Sequence, residues 1–270
     1  MTTRLDAAVA ARGLARSRTH AAQLIGAGLV SVDGAPVVKP SARVADDAVI
    51  TVAGTDHYVS RAAHKLIAGL ETFAIEAAGR TALDMGASTG GFTQVLRERG
   101  ADPVLAVDVG HGQLDPSIAA DAGVIAVEGY NVRYMTPESL AEATGIHTPP
   151  ALLTGDLSFI SLTHVLPAVA AVAAEHADIV LLIKPQFEVG RTGVREGLVT
   201  DPVRRADAVA GVLWAAWDAG LGTFGLIDSP IVGTHGNAEY LAWLRPQPEG
   251  EAAGNPTEWM GTVNRLAGAP

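Results

Sequence analysis

Along the first 54 residues the apolar positions come in short bursts at two different periods. Leu5, Ala8 and Val9 sit at helical spacing, and Gly13 supplies a stop. Ser17 is placed to cap a second helix whose apolar side is Ala21, Leu24 and Ile25, closed by Gly28. The period then falls to two. Val30-Ser31-Val32 alternates, Asp33-Gly34 is a hairpin turn signal, and Val37-Val38 and Val49-Ile50-Thr51-Val52 supply further strands. The pattern predicts a small α+β domain over 1–54 and a linker over 55–60.

From residue 61 the pattern changes again. Residues 61–73 read as a helix. Short apolar runs at 82–85, 104–107, 124–127, 151–154, 179–183 and 224–227 then alternate with helical stretches near 91–99, 137–143, 164–175 and 202–219. This alternation predicts an α/β fold over 61–246, a mostly parallel Rossmann-like sheet with helices on both faces. Such sheets bind ligands at the carboxyl ends of their strands. The stretch 247–270 begins with Pro, Gly and Glu and reads as a loose tail.

Composition narrows the function classes. The chain has 270 residues and 48% hydrophobic content, enough for a sizeable core. No apolar run reaches the roughly 20 residues that span a bilayer. The opening Met1-Thr2-Thr3-Arg4-Leu5-Asp6 lacks the apolar stretch of a signal peptide. There is no Cys, hence no disulfide or thiolate metal site, and no His/Asp/Glu cluster has ligand spacing. A cytoplasmic protein without metal or membrane attachment is expected. Net charge is −10, but residues 1–60 carry six Lys/Arg against five Asp/Glu, so the acidity belongs to the larger part. A nucleic-acid role must rest on where individual arginines sit.

The clearest chemical signal is Asp84-Met85-Gly86-Ala87-Ser88-Thr89-Gly90-Gly91-Phe92-Thr93, which follows a strand and opens a helix. Its glycines let the backbone approach a ligand closely, and amides at a helix start suit a carboxylate. Asp108 ends the next strand, where an acid commonly holds ribose hydroxyls. The spacing G-x-x-x-G-G is not the dinucleotide pattern. Asp84 beside the first glycine fits a ligand amine. S-adenosylmethionine carries an amine, a carboxylate and a ribose, and so satisfies all three features. A competing reading takes Gly86-Ala87-Ser88-Thr89-Gly90 as a hydrolase elbow, with Ser88 as nucleophile and Asp228 and His235 as partners. It leaves Asp84 and Asp108 unexplained.

Further stretches carry a resemblance. They are Tyr58-Val59-Ser60-Arg61-Ala62-Ala63-His64-Lys65-Leu66, Val107-Asp108-Val109-Gly110, Glu128-Gly129-Tyr130-Asn131-Val132-Arg133, Gly155-Asp156-Leu157-Ser158-Phe159-Ile160-Ser161-Leu162, Leu182-Ile183-Lys184-Pro185-Gln186-Phe187-Glu188 and Gly236-Asn237-Ala238-Glu239-Tyr240. With the glycine loop, they resemble the FtsJ-type ribose 2′-O-methyltransferases. The whole chain resembles the TlyA family of ribosomal-RNA methyltransferases, some of which also carry the name haemolysin. Residues 4–52 resemble the RNA-binding domain named after ribosomal protein S-four. The family's glycine loop usually has Asp where this chain has Gln94.

The resemblance implies a catalytic set of Lys65, Asp156, Lys184 and Glu239. A ribose hydroxyl is a poor nucleophile and must lose its proton during attack. An ammonium at the end of an apolar strand, near a second ammonium, is biased toward the neutral amine, whereas neighbouring carboxylates oppose that bias. Lys184 is thus read either as base or as stabiliser of a developing alkoxide. The resemblance further implies that S-adenosylmethionine is held by Asp84, Gly86, Ser88, Thr89, Gly90, Gly91, Asp108, Val109 and Asn131. Ribosomal RNA or a ribosomal subunit is the implied partner, met by Arg4, Arg16, Arg18, Lys39, Arg43 and Arg61. Arg191, Arg195, Arg204 and Arg205 offer a second basic face. Two rival readings are a small-molecule or antibiotic O-methyltransferase and an RNA-binding factor without activity.

Overall fold

A computed structural model describes residues 2–15, 17–26, 28–52, 57–190, 197–233, 236–247 and 253–270. The chain forms two compact units, Met1–His57 and Tyr58–Pro270.

In the first unit the order is β1 (Thr2–Arg4), α1 (Leu5–Ala11), α2 (Arg18–Gly26), β2 (Val30–Val32), β3 (Ala35–Pro36), β4 (Arg43–Ala45) and β5 (Ile50–Val52). Leu5 and Val9 from α1, Ala21 and Ile25 from α2, and Val30 and Ile50 from the strands form its core. Asp33 and Gly34 both have positive φ, so a two-residue turn closes the β2–β3 hairpin at once. The return strand is therefore Ala35–Pro36 rather than residues 37–38, although the Val37 amide still bonds the Val30 carbonyl at 2.9 Å. The pairing of β1 with β4 is not visible as a pattern, because both strands are only three residues long.

The second unit runs α3 (Ala63–Thr72), β6 (Ala82–Met85), α4 (Gly91–Glu98), β7 (Val104–Asp108), α5 (Pro116–Ala119), β8 (Val124–Glu128), α6 (Pro137–Thr144), β9 (Leu152–Gly155), α7 (Leu166–Val172), β10 (Asp178–Ile183), α8 (Pro185–Glu188), α9 (Pro202–Asp218), β11 (Leu221–Asp228), β12 (Tyr240–Pro246) and α10 (Met260–Ala267). Seven strands form one sheet in the order β11-β12-β10-β9-β6-β7-β8. The five from β10 to β8 are parallel, and β12 runs antiparallel to both its neighbours. This is a Rossmann-like, mostly parallel sheet with helices on both faces.

The strand pleat divides the core in two. Leu83, Met85, Leu105, Leu153, Leu181 and Ile183 face the side covered by α6, α7, α9 and α10. Ala82, Val104, Leu152, Val180 and Leu182 face α3 and α4. Fully burying one such Leu or Ile is worth about 1.5–3 kcal/mol. Chain order reverses at β6, with β7 on one side and β9 on the other. The crevice at the carboxyl ends of these strands is where doubly wound sheets hold ligands.

Two expectations need correction. The run Tyr240-Leu241-Ala242-Trp243-Leu244 is a strand that sequence reading passed over. It follows β11 without an intervening helix, which breaks the strand–helix rhythm and makes the pairing antiparallel. The stretch 247–270 is not a loose tail throughout. Val263 and Ala267, one helical turn apart, are buried in the main core. Arg205 of α9 donates to the Ala267 carbonyl at 2.9 Å, and the Trp259 indole donates to the Thr223 carbonyl at 3.0 Å. The Pro and Gly of the preceding residues mask that short amphipathic turn.

Candidate active site

The glycine loop leaves β6 and enters α4. Gly86 (φ +78°), Ser88 (φ +49°) and Gly90 (φ +96°) all take left-handed backbone. At Gly86 a Cβ would stand 3.0 Å from Leu157 Cδ2 and 3.3 Å from the Asp156 carbonyl oxygen. Only a residue without a side chain lets the loop pass this close to the turn after β9. At the end of β7, Asp108 accepts the Ser88 amide at 2.8 Å and the Gly110 amide at 2.7 Å. One carboxylate thus binds the glycine loop to the next strand's turn. Beside it lies a cleft of about 530 Å³, lined among others by Gly86, Ser88, Asp108, Val109, Asn131 and Phe159.

A second hollow, of about 230 Å³, adjoins the first across Gly86, Ser88, Asp156 and Ser158. Thr89, Gly91 and Arg61 line it, as do Lys65, Asp156, Lys184 and Glu239. Each of these four comes from a different element. Lys65 lies in the first turn of α3, whose Leu66 and Leu70 fix its buried face. At Gly69 a Cβ would meet Val180 at 3.3 Å, so the helix sits tightly on β10. Lys184 follows Val180 and Leu182 in the two-residue pleat and so emerges on that same side of the sheet. Asp156 follows β9, and Glu239 immediately precedes β12.

The four side chains form a continuous charged chain. Lys65 Nζ lies 2.7 Å from Glu239 Oε2 and 3.3 Å from Asp156 Oδ2, and Lys184 Nζ lies 2.6 Å from Asp156 Oδ1. Lys184 also donates to Ser158 Oγ at 2.8 Å. Lys65, Lys184 and Glu239 are 6%, 7% and 4% exposed, burial that charged groups tolerate only when paired. Gly233 lets its loop press on Glu239, since a side chain there would run into the carboxylate.

Other expected residues are placed differently. Asp84 does not line either hollow. It is fully buried, accepting the Thr93 hydroxyl at 2.6 Å and the Thr154 hydroxyl at 3.3 Å. Burial pushes its carboxyl up to about 7. Its parity within β6 aims it between strand and helix, which corrects the expected contact with a ligand amine. Asn131 lines the cleft, but its side-chain oxygen accepts the Arg133 amide at 3.1 Å and caps a short turn. In the first unit Arg4 and Arg18 converge on Asp6 at 2.8 and 3.3 Å, and Arg43 donates to the Thr2 carbonyl. Lys39 is exposed. Arg16, Arg191, Arg195 and His235 lie outside the described residues. The Ser88 hydroxyl donates to the Gln113 carboxamide oxygen at 3.2 Å.

Comparison with known proteins places the chain in a family. The FtsJ-like methyltransferase family matches residues 58–246. The chain belongs to that family. The S4 domain family matches residues 3–50 of the same chain. The chain is 49% identical over 249 residues to the 16S/23S rRNA (cytidine-2′-O)-methyltransferase TlyA of Mycobacterium tuberculosis, covering 91% of each. It is 36% identical to Hemolysin A of Brachyspira hyodysenteriae, over 88% of this chain and 98% of that one. A solved structure of a hemolysin-named protein from Streptococcus thermophilus superposes with a TM-score of 0.74 at 35% identity, covering 99% of this chain and 94% of that one.

Sequence reading of this FtsJ-like methyltransferase missed residues at the cleft mouth. Phe159 is 93% exposed, has φ +63° and meets the Phe187 ring at 5.4 Å. Lys184 Nζ sits 5.8 Å from the Phe187 ring centre. Glu188 accepts the Leu162 amide at 2.9 Å and a Ser161 hydroxyl, so it joins the turn after β9 to α8. The available signal was the pair of aromatic residues beside Asp156 and Lys184 in sequence. Among the described residues, no group of three His, Asp or Glu could hold a metal, and no helix is long and apolar enough to cross a membrane.

Proposed function

We propose that this chain transfers a methyl group from S-adenosylmethionine to the 2′-hydroxyl of a cytidine ribose in ribosomal RNA. The observation that carries the reading is the linked set Lys65, Asp156, Lys184 and Glu239 beside the glycine loop. The identity to TlyA, whose name states that activity, supports the choice of substrate.

The cleft suits the cofactor. The left-handed turns at Gly86, Ser88 and Gly90 open backbone to a methionine carboxylate, with Thr89 and Gly91 alongside. Asp108 faces the ribose, the 67% exposed Val109 offers an apolar surface to adenine, and Asn131 forms the rim. When bound, S-adenosylmethionine supplies an electrophilic methyl on a sulfonium. Everything else falls to the chain. The ribose hydroxyl meets Lys184 Nζ, which in its neutral amine form accepts the hydroxyl proton as the oxygen attacks the methyl and the sulfonium leaves as a neutral thioether. Asp156 holds Lys184 in place, and Lys65 with Glu239 holds Asp156. Orientation of an already activated methyl supplies most of the acceleration. Asp84 supports the loop from behind.

The exposed Phe159 ring is a stacking face for the target base. Arg4, Arg18, Lys39 and Arg43 are exposed cations suited to phosphates, which position RNA without reading it. Arg61 plays that part at the cleft. This function belongs in the cytoplasm, with the ribosome.

The test is transfer of labelled methyl from S-adenosylmethionine to purified ribosomal subunits, with Lys184→Ala in parallel. The expected product is an alkali-resistant ribose at one cytidine, absent with the variant. No incorporation into either subunit, with cofactor binding intact, would overturn the proposal in favour of a small-molecule substrate.

A further inference from the structure

Gln113 lies in the turn after β7 and lines the same cleft as Asp108. Its carboxamide oxygen accepts the Ser88 hydroxyl at 3.2 Å. With Oε1 turned to Ser88, the NH₂ lies on the opposite side of the amide, toward Gly110. Nε2 stands over Gly110, where any side chain would collide with it. Gly110 itself donates its amide to Asp108 Oδ1 at 2.7 Å. The carboxamide donor and the Asp108 carboxylate therefore flank one glycine and face the same space.

The two groups are chemically complementary. An ionised carboxylate only accepts hydrogen bonds, whereas each ribose hydroxyl both donates and accepts. A diol held by Asp108 alone donates both its hydrogen bonds to the carboxylate but leaves its own lone pairs without a donor. A carboxamide NH₂ at the rim supplies that donor, and Ser88 keeps it aimed. From this arrangement we infer that Gln113 is a recognition residue for the ribose diol of the cofactor, the donor that complements Asp108. The inference rests on the cofactor reading above.

The test is calorimetric binding of S-adenosylhomocysteine and its 2′-deoxy and 3′-deoxy analogues to the full chain. Wild type binds the parent compound and loses affinity for at least one deoxy analogue. Gln113→Ala weakens the parent by about three- to tenfold, as expected for one neutral hydrogen bond, and shrinks the deoxy penalty. Gln113→Glu, which sets a second carboxylate beside Asp108, weakens it further. The thermal midpoint of the ligand-free variants stays at the wild-type value. Gln113→Ala binding all three compounds as wild type does would overturn the inference. So would weaker binding with the full deoxy penalty retained, since Gln113 would then act only through Ser88. A wild type that binds none of them removes the cofactor reading and this inference with it.

Discussion

Lys65 and Glu239 are 174 residues apart in sequence, and their charged groups meet at 2.7 Å in a buried setting. The contact ties α3 to the start of β12 and thereby holds the first lysine of the charged chain beneath Asp156. Glu239→Gln keeps the shape but removes one charge, leaving Lys65 with Asp156 alone. Methyl transfer should fall by about 10²-fold or more, since orientation of the reacting groups is lost. Breaking a buried pair also costs stability, by about 1–3 kcal/mol where a second partner remains, below the roughly 3–5 kcal/mol of full loss. Denaturant unfolding beside single-turnover methylation separates the two effects.

Lys184→Arg distinguishes proton acceptance from charge stabilisation. Arginine keeps the positive charge but cannot be deprotonated in a protein. If Lys184 accepts the hydroxyl proton, the Arg variant is as inactive as Lys184→Ala while cofactor binding is retained. Substantial turnover by the Arg variant would assign Lys184 to electrostatic stabilisation instead.

Phe159→Ala should raise the KM for ribosomal subunits with little effect on affinity for S-adenosylhomocysteine. Stacking of one base on an aromatic ring is worth about 1–3 kcal/mol, so the expected rise is roughly five- to a hundredfold. An unchanged KM would remove Phe159 from the RNA surface.

Asp84 makes the stability of the larger unit depend on pH. Its native value of about 7 lies above its ordinary value of 3.8, so the folded chain binds a proton that the unfolded chain has released. The protonated form stabilises the fold below pH 4, and that contribution is lost as pH rises toward 7. Asp84→Asn removes the titration while keeping a group that the two threonine hydroxyls can meet. The variant's thermal midpoint should gain on wild type between pH 4 and 7 and level off above that. A constant difference across that range would contradict the assignment.

Gly86→Ala places a methyl 3.0 Å from Leu157 at φ +78°. Strain of this kind costs about 1–3 kcal/mol. Binding of S-adenosylhomocysteine should fall more than stability does, because the loop must shift away from Asp156. Paired calorimetry and thermal melts check this.

Local pattern carried much of this protein. The α/β rhythm, the glycine loop after β6 and Asp108 at the end of β7 follow from chain periodicity and short-range spacing, because each depends on neighbours within a few residues. The small first domain was legible for the same reason, since a Gly-marked hairpin and two short helices are local structures. Other features depended on contacts made across long separations. The strand β12 exists because β10 and β11 leave a place between them, and α10 because α9 offers Val263 and Ala267 a surface to cover. Asp84 and Lys184 are both polar residues at apolar strands, and nothing local separates their fates. The pleat and the position of α4 bury Asp84 against Thr93 while Lys184 comes out beside Asp156 and Ser158. The sequence by itself determined which chemistry was present. Only the packed sheet decided which of those groups face the cleft, because a side chain's exposure is set by what other elements place above it.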